Sequence, residues 1–269
     1  MKVLVTGAAG LLGQQVVSWL AACGHAVVSH DRDVGDLAVV SHVQSVVDGV
    51  DAVVHAAAIP DPMSTSDDET FRNNVVSTYN VLDAAGRAGV SRIVNVSSIS
   101  ALGIAWSRRD VSPVSVPVTE EHPFVGEDAY GLSKQVGETV ALATSRRWDV
   151  AVVSLRFPFL GTDERLRYHL SRIHADPGVD RGGLWAWLDV RDAARAVSAA
   201  LTASVRGYQM VHVTAPDTTA LVPTMELVRT YHPAAVVGRE LGEFESVFAG
   251  DRARELLGFE AHYGWRTGQ

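Results

Sequence analysis

Tyr130 and Lys134 stand four residues apart in "AYGLSK", a spacing that puts two side chains on one face of a helix. A phenol beside an ammonium is suited to proton transfer. The neighbouring positive charge favours phenolate and draws a tyrosine pKa down from about 10, toward the range where the oxygen accepts a proton. Lysine is scarce in this chain, with Lys2 and Lys134 against 21 arginines, so a lysine in mid-chain asks what arginine would not do there. Upstream, "VNVSSIS" gathers Ser97, Ser98 and Ser100. A serine hydroxyl there can hold a substrate oxygen while the tyrosine moves its proton, although strand-end serines also serve as helix caps and turn formers.

The second group with chemical meaning is "TGAAGLLG", which places Gly7, Gly10, Leu11 and Gly13 at the end of an N-terminal apolar run. Glycines in that spacing let backbone N–H groups approach a pyrophosphate, and the N-terminus of the following helix adds favourable potential. Eighteen residues after Gly13 stands Asp31, placed to accept hydrogen bonds from adenosine ribose hydroxyls and to repel a 2′-phosphate. That favours NAD over NADP. Arg32 leaves NADP open, because an arginine there can turn toward a 2′-phosphate. Asp36 and Leu37 in "GDLA" offer an edge and a face for the adenine, with a helix N-cap as the other use of Asp36. With a dinucleotide in place, Lys134 gains a second task, donating to ribose hydroxyls as a compact point charge.

These groups must be carried by a sheet. "KVLVTG", "HAVVSHD", "DAVVHAA", "RIVNVSS" and "VAVVSLRF" read as strands buried on both faces, and the segments between them have helical period. Alternation of this kind predicts an α/β fold, a Rossmann doubly wound parallel sheet. From about Arg156 the rhythm loosens through "FPFLGTDERLRYHLSRIHADPGVDRGG", which reads as irregular chain, before the helix "VRDAARAVSAALTA" and the strand "YQMVHVTAP". The expected organisation is one unit over 1–269, mainly NAD-binding core over 1–155 and mainly a small C-terminal substrate-binding cap, with returning core elements, over 156–269.

Bulk properties narrow the partners. A chain of 269 residues with formal charge −8 and no basic run argues against nucleic acid or an anionic membrane surface. The opening apolar run is too short for a signal peptide or a span, so the expected location is the cytoplasm. A single cysteine, Cys23, leaves no intrachain disulfide and no multi-cysteine metal site; no metal is expected, and Cys23 itself reads as a small core residue on a helical stretch.

In order along the chain, "VTGAAGLLG", "DAVVHAAA", "NNVVSTYNVLDAA", "VSSIS", "YGLSK" and "LRFPFLG" resemble the extended short-chain dehydrogenase/reductases of the NAD-dependent epimerase/dehydratase family. The resemblance implies a catalytic set of Ser98, Tyr130 and Lys134. It implies support from Asn74, with Asn73 as a competing register, and a cofactor groove lined by His55 and Ala56 to Ala58. As a catalytic base His55 is disfavoured, because it lies in a buried strand run. Many relatives pair as homodimers through the helices that bear Asn74 and Tyr130.

Departures from the family pattern refine the expectation. Ile99-Ser100 stands where sugar-nucleotide dehydratases carry an Asp-Glu pair, which removes the acid needed to expel a hydroxyl. The compact build is similar to uronate dehydrogenases and related sugar oxidoreductases, including "GGLWAWLDVRD". The expected activity is NAD-dependent oxidation or reduction of a hydroxyl or hemiacetal of a small sugar-like substrate. The alternative is a nucleotide-sugar epimerase that oxidises and re-reduces without net redox change. Ser100, Arg156, Arg165, Arg167 and Arg181 are candidate substrate contacts, the arginines for a carboxylate or phosphate, and Trp185 is a candidate platform for a sugar face.

Overall fold

The computed structural model describes residues 1–266. In chain order the elements are β1 (Lys2–Thr6), α1 (Leu11–Ala22), β2 (Ala26–His30), α2 (Val40–Val47), β3 (Ala52–His55), α3 (Asp67–Ala88) and β4 (Arg92–Ser98). Then come β5 (Ser115–Val116), α4 (Ala129–Trp148), β6 (Ala151–Phe157), β7 (Phe159–Gly161) and α5 (Asp163–Ala175). The last elements are β8 (Trp187–Asp189), α6 (Val190–Thr202), β9 (Tyr208–His212), α7 (Thr224–Tyr231), β10 (Val236–Val237) and α8 (Asp251–Leu257).

Six strands form one parallel sheet in the order β2-β1-β3-β4-β6-β9. The inner strands β1, β3, β4 and β6 are buried on both faces because helices cover both, α1 and α6 on one side and α2, α3 and α4 on the other. By contrast β2, expected to be buried likewise, is the edge strand and is half-exposed. The chain leaves β1 for β2 on one side and returns to β3 on the other. The carboxyl ends of β1 and β3 therefore face a crevice at the switch point, where doubly wound sheets bind ligands.

Local sequence sets the long helices. Asp67, Asp68 and Glu69 in the first turn of α3 and Arg87 in its last complement the helix dipole, and Gly89, at φ 74°, ends it in the left-handed region. Asp128 caps α4 by accepting from Gly131 N–H at 2.6 Å, which fixes the start of the helix one residue before Tyr130.

A second apolar cluster, built around Leu102, Val116, Ile173, Trp185, Leu227 and Phe248, forms the core of the cap. The small parallel pair β5–β10 contributes Val116 to it, while the other small pair, β7–β8, packs Phe159, Leu160, Trp187 and Leu188 on the core of the main sheet. The stretch read as irregular after Arg156 contains α5, thirteen residues long. Its sequence hid the helix because α5 buries only Ile173 fully, so no broad apolar stripe shows. Cys23 is exposed at the end of α1, not packed in the core. Among the described residues no helix is long and apolar enough to cross a membrane.

Candidate active site

The glycine loop leaves β1 at Gly7, with φ +72°; a Cβ there would stand 2.7 Å from the backbone of Ala56 and Ala57. Only glycine lets the ends of β1 and β3 come that close. A Cβ on Gly13 would fall on the Gly7 carbonyl oxygen. Gly10 donates to that oxygen at 3.1 Å and caps α1 with no side-chain acceptor, so no capping side chain covers the first amides of the helix. A bare helix N-terminus behind a glycine cradle fits the pyrophosphate of a dinucleotide.

Asp31 accepts from Ala9 N–H and Arg32 N–H, both at 2.8 Å, which fixes its carboxylate beside the loop. Arg32 itself is exposed. Asp36 accepts from Ala38 N–H at 2.8 Å, a turn ahead of α2, whose N-cap is Val39; the helix-cap use is not realised. Leu37 is buried among residues of α2 and α3, so its side chain packs the core and presents no face to an adenine. His55 is likewise a core residue. Its ring nitrogens bond Thr6 Oγ1 at 2.8 Å and Thr78 Oγ1 at 3.1 Å, and burial, with Lys134 nearby, pulls it down to about 3. Ala56 and Ala58 line the groove expected there, while His55 and Ala57 stand behind it.

One cleft of about 900 Å³ runs from Gly7, Gly10, Leu11 and Gly13, past Ser98, Ser100, Tyr130 and Lys134, to the cap. Ser98 ends β4 and its Oγ accepts from Ser100 N–H at 3.1 Å, which turns the chain sharply beside α4. Gly131 makes the approach possible: a Cβ there would stand 2.6 Å from Ser100 O. Asn74, in the middle of α3, is buried and holds Ile59 from both sides, accepting from its N–H at 2.8 Å and donating to its carbonyl at 3.0 Å. It also donates to Ser133 Oγ at 3.1 Å, so it joins α3, α4 and the loop after β3. The adjacent Asn73 donates to Asn74 Oδ1 at 3.1 Å.

Lys134 Nζ donates to Val96 O at 3.0 Å and lies 5.8 Å from the centroid of the Tyr130 ring. Burial pulls the ammonium down to about 8, and Glu138 opposes that fall. Tyr130 departs from expectation. Burial pushes its phenol up to about 12, with Asp61 and Asp128 adding to the rise and the Ser98 hydroxyl opposing it. The ammonium is spent on the Val96 carbonyl, and the cost of an anion out of water dominates. Burial therefore favours the phenol form of Tyr130.

Behind the site Ser97 donates to Glu138 Oε1 at 2.6 Å, and Glu138 forms a buried two-pronged pair with Arg156. Arg156 is therefore committed to Glu138 of α4 and is not a substrate contact. Trp185 is fully buried with Nε1 donating to Pro177 O at 2.8 Å, so it is a core indole of the cap and offers no sugar platform. Arg181 reaches outward to Asp110 at 2.8 Å, and Arg167 is exposed; neither lines the cleft. Arg165 does line it, as do Asp61, His169, Arg172 and Asp180, four groups the sequence reading passed over. The signal for His169 and Arg172 was their spacing from Arg165, which marks one face of a helix once α5 is recognised.

Comparison with known proteins agrees with this geometry. The family model described as the NAD dependent epimerase/dehydratase family matches residues 3–213. The chain is 27% identical to the NAD-dependent glucose-6-phosphate dehydrogenase of Haloferax volcanii, over 78% of this chain and 83% of that protein. It is 26% identical to the uronate dehydrogenase of Pseudomonas syringae pv. tomato, over 78% of this chain and 73% of that protein. Among solved structures, MoeE5 in complex with UDP-glucuronic acid and NAD superimposes with a TM-score of 0.73 at 26% identity, covering 100% of this chain and 96% of that one. With its glycine cradle, its parallel sheet and the matched span, the chain belongs to the NAD dependent epimerase/dehydratase family, as an NAD-using enzyme among the extended short-chain dehydrogenase/reductases.

Proposed function

We propose that this enzyme oxidises, or in reverse forms, a secondary hydroxyl or hemiacetal of a small sugar-like substrate, through Ser98, Tyr130 and Lys134. The observation that carries the reading is the single cleft, in which the glycine cradle, these three side chains and a polar cap wall line one continuous space. Gly7, Gly10, Gly13 and Asp31 hold the cofactor, which when bound supplies the hydride acceptor. Ser98 orients the substrate oxygen toward Tyr130. As the carbinol C–H electrons depart as hydride, the hydroxyl proton passes to Tyr130 in its phenolate form, giving the phenol; in the reverse direction the phenol returns it to the carbonyl. For Lys134 to stabilise the phenolate by charge, its ammonium must turn from the Val96 carbonyl toward the Tyr130 oxygen. Asn74 positions α4 against the loop after β3. The relatives named as sugar dehydrogenases support the substrate class.

We also infer a homodimer through α3 and α4, where Val76, Tyr79 and Leu132 are exposed apolar residues, and a cytoplasmic location. Light scattering on the purified protein tests the dimer. For the activity, the test is reduced-cofactor absorbance with NAD and a panel of free uronates, aldoses, sugar phosphates and sugar nucleotides, beside Tyr130→Phe. Net NADH with a free sugar, lowered about 10²- to 10⁴-fold in the variant, is the expected result. A sugar nucleotide that changes stereochemistry with no net NADH would transfer the function to an epimerase.

A further inference from the structure

The far wall of the cleft carries a row of polar side chains set among apolar ones such as Phe159, Leu160 and Val179. Arg165, His169 and Arg172 recur along α5 at intervals of four and three, and all three line the cleft. Across from them the turn that follows α5 presents Asp180, with Gly182 and Gly183 beside it. His169 is set rigidly, its ring stacked on Phe159 with centroids 3.8 Å apart and planes 13° from parallel. Asp180 Oδ2 lies 3.7 Å from His169 Nε2, beyond hydrogen-bond reach, and neither atom has a hydrogen-bond partner. The two side chains are each 17% exposed. Gly183 makes room for the acid, since a Cβ there would run into Asp180 Oδ1.

Buried polar groups are almost always paired, and an unpaired one costs roughly 1–3 kcal/mol. A carboxylate and an imidazole left short of each other, in the cleft that also holds the reacting groups, are two such costs at one place. Burial also pushes the Asp180 carboxyl up to about 7, only partly opposed by Arg172, and pulls His169 down to about 4. Near neutrality His169 is an uncharged ring, and the acid lacks a strong counter-charge. Such an acid is poorly suited to a structural ion pair and well suited to exchanging hydrogen bonds with neutral O–H groups, as acceptor when ionised and as donor when protonated.

We propose that Asp180 and His169 form a specificity-determining subsite that hydrogen-bonds the hydroxyl groups of the substrate remote from the reacting carbon. The subsite takes a polyol edge. Asp180 and His169, the latter held in place by Phe159, each hydrogen-bond a hydroxyl of that edge. The inference rests on the proposed function for its substrate class but not for the direction or net outcome of the redox step.

The test is calorimetric binding in the Tyr130→Phe background, in which turnover is slowed, with NAD present. The probes are L-arabinose, glucuronate, glucose 6-phosphate and UDP-glucose, and Asp180→Ala and the shape-matched Asp180→Asn are compared with the parent. The expected result is about a tenfold or greater loss of affinity for at least one probe in Asp180→Ala, a smaller loss in Asp180→Asn, and unchanged NAD affinity. Equal affinity of parent and both variants for every probe would overturn the subsite. So would a parallel loss of NAD and probe affinity with a lowered melting temperature, since that marks a structural role. If the parent binds none of the probes, the subsite and the proposed substrate class both fall. Binding that depends on Asp180, in an enzyme giving no net NADH, would leave the subsite standing and remove only the dehydrogenase reading.

Discussion

Arg156 and Glu138 meet fork to fork inside the protein: Arg156 Nε lies 2.7 Å from Glu138 Oε1 and Nη2 2.7 Å from Oε2, with side chains 3% and 5% exposed. The pair links the end of β6 to α4 one turn beyond Lys134, and Ser97 adds a third bond from β4. Removing one partner strands a buried charge. Arg156→Met is therefore expected to lower unfolding free energy by about 3–5 kcal/mol, and the double variant Arg156→Met/Glu138→Met by clearly less. Urea denaturation of the single and double variants reads the difference, and equal losses would contradict the pairing.

Lys134 carries a stability signature. Its folded pKa is about 8 against an ordinary 10.5, so below pH 8 the folded protein keeps a buried ammonium that would rather be in water. Between those values the folded chain sheds the proton before the unfolded chain does, and stability from this group rises with pH across that window. Lys134→Met is expected to remove the rise and, at neutral pH, to stabilise the cofactor-free protein by roughly 2 kcal/mol after loss of the bond to Val96 O, while activity disappears. Denaturation of both proteins at the two ends of the window checks the sign.

Gly13→Ala places a methyl group on the Gly7 carbonyl. The loop or α1 must move, which is expected to cost about 1–3 kcal/mol of stability and at least tenfold in NAD affinity. Calorimetric titration with NAD, beside a melting curve, measures both. Retained affinity would mean that the cradle is not the pyrophosphate site.

Asp31 is held beside the glycine loop by two backbone donors. Asp31→Ser keeps a hydrogen-bonding group and removes the charge that repels a 2′-phosphate. The ratio of kcat/KM for NADP over NAD is expected to rise by about tenfold or more, with exposed Arg32 free to favour the phosphate. An unchanged ratio would show that Asp31 does not face the adenosine ribose.

Much of this was legible in the sequence, for reasons that differ by residue. The strands around the switch point announced themselves because both faces are buried, and the glycine loop because close backbone approach admits nothing larger. Asn74 and Ser98 came from the family resemblance, and the structure brings both to the junction of α4 with the sheet. What stayed hidden depended on direction. Arg156 and Arg181 are both arginines near the cap, yet one is buried against Glu138 and the other reaches Asp110 at the surface. Trp185 reads as a surface platform or a core indole equally well until its neighbours are known. The rise in the Tyr130 pKa was invisible because burial, unlike the i, i+4 spacing, is not written in a short motif.

The two walls of the cleft differ in how freely they can change. Gly131 sits against Ser100 O, and Ser133, one turn from Tyr130, is bonded to Asn74, so a side chain added at the start of α4 would carry Tyr130 and Lys134 away together. The opposite wall is α5, which commits only Ile173 fully to the core. Substitutions at Arg165 or Arg172 leave the packing of Ile173 intact, whereas one at His169 gives up its stack on Phe159. Natural variation can therefore retune what the enzyme accepts, one α5 position at a time, while the reaction it performs is inherited as a block.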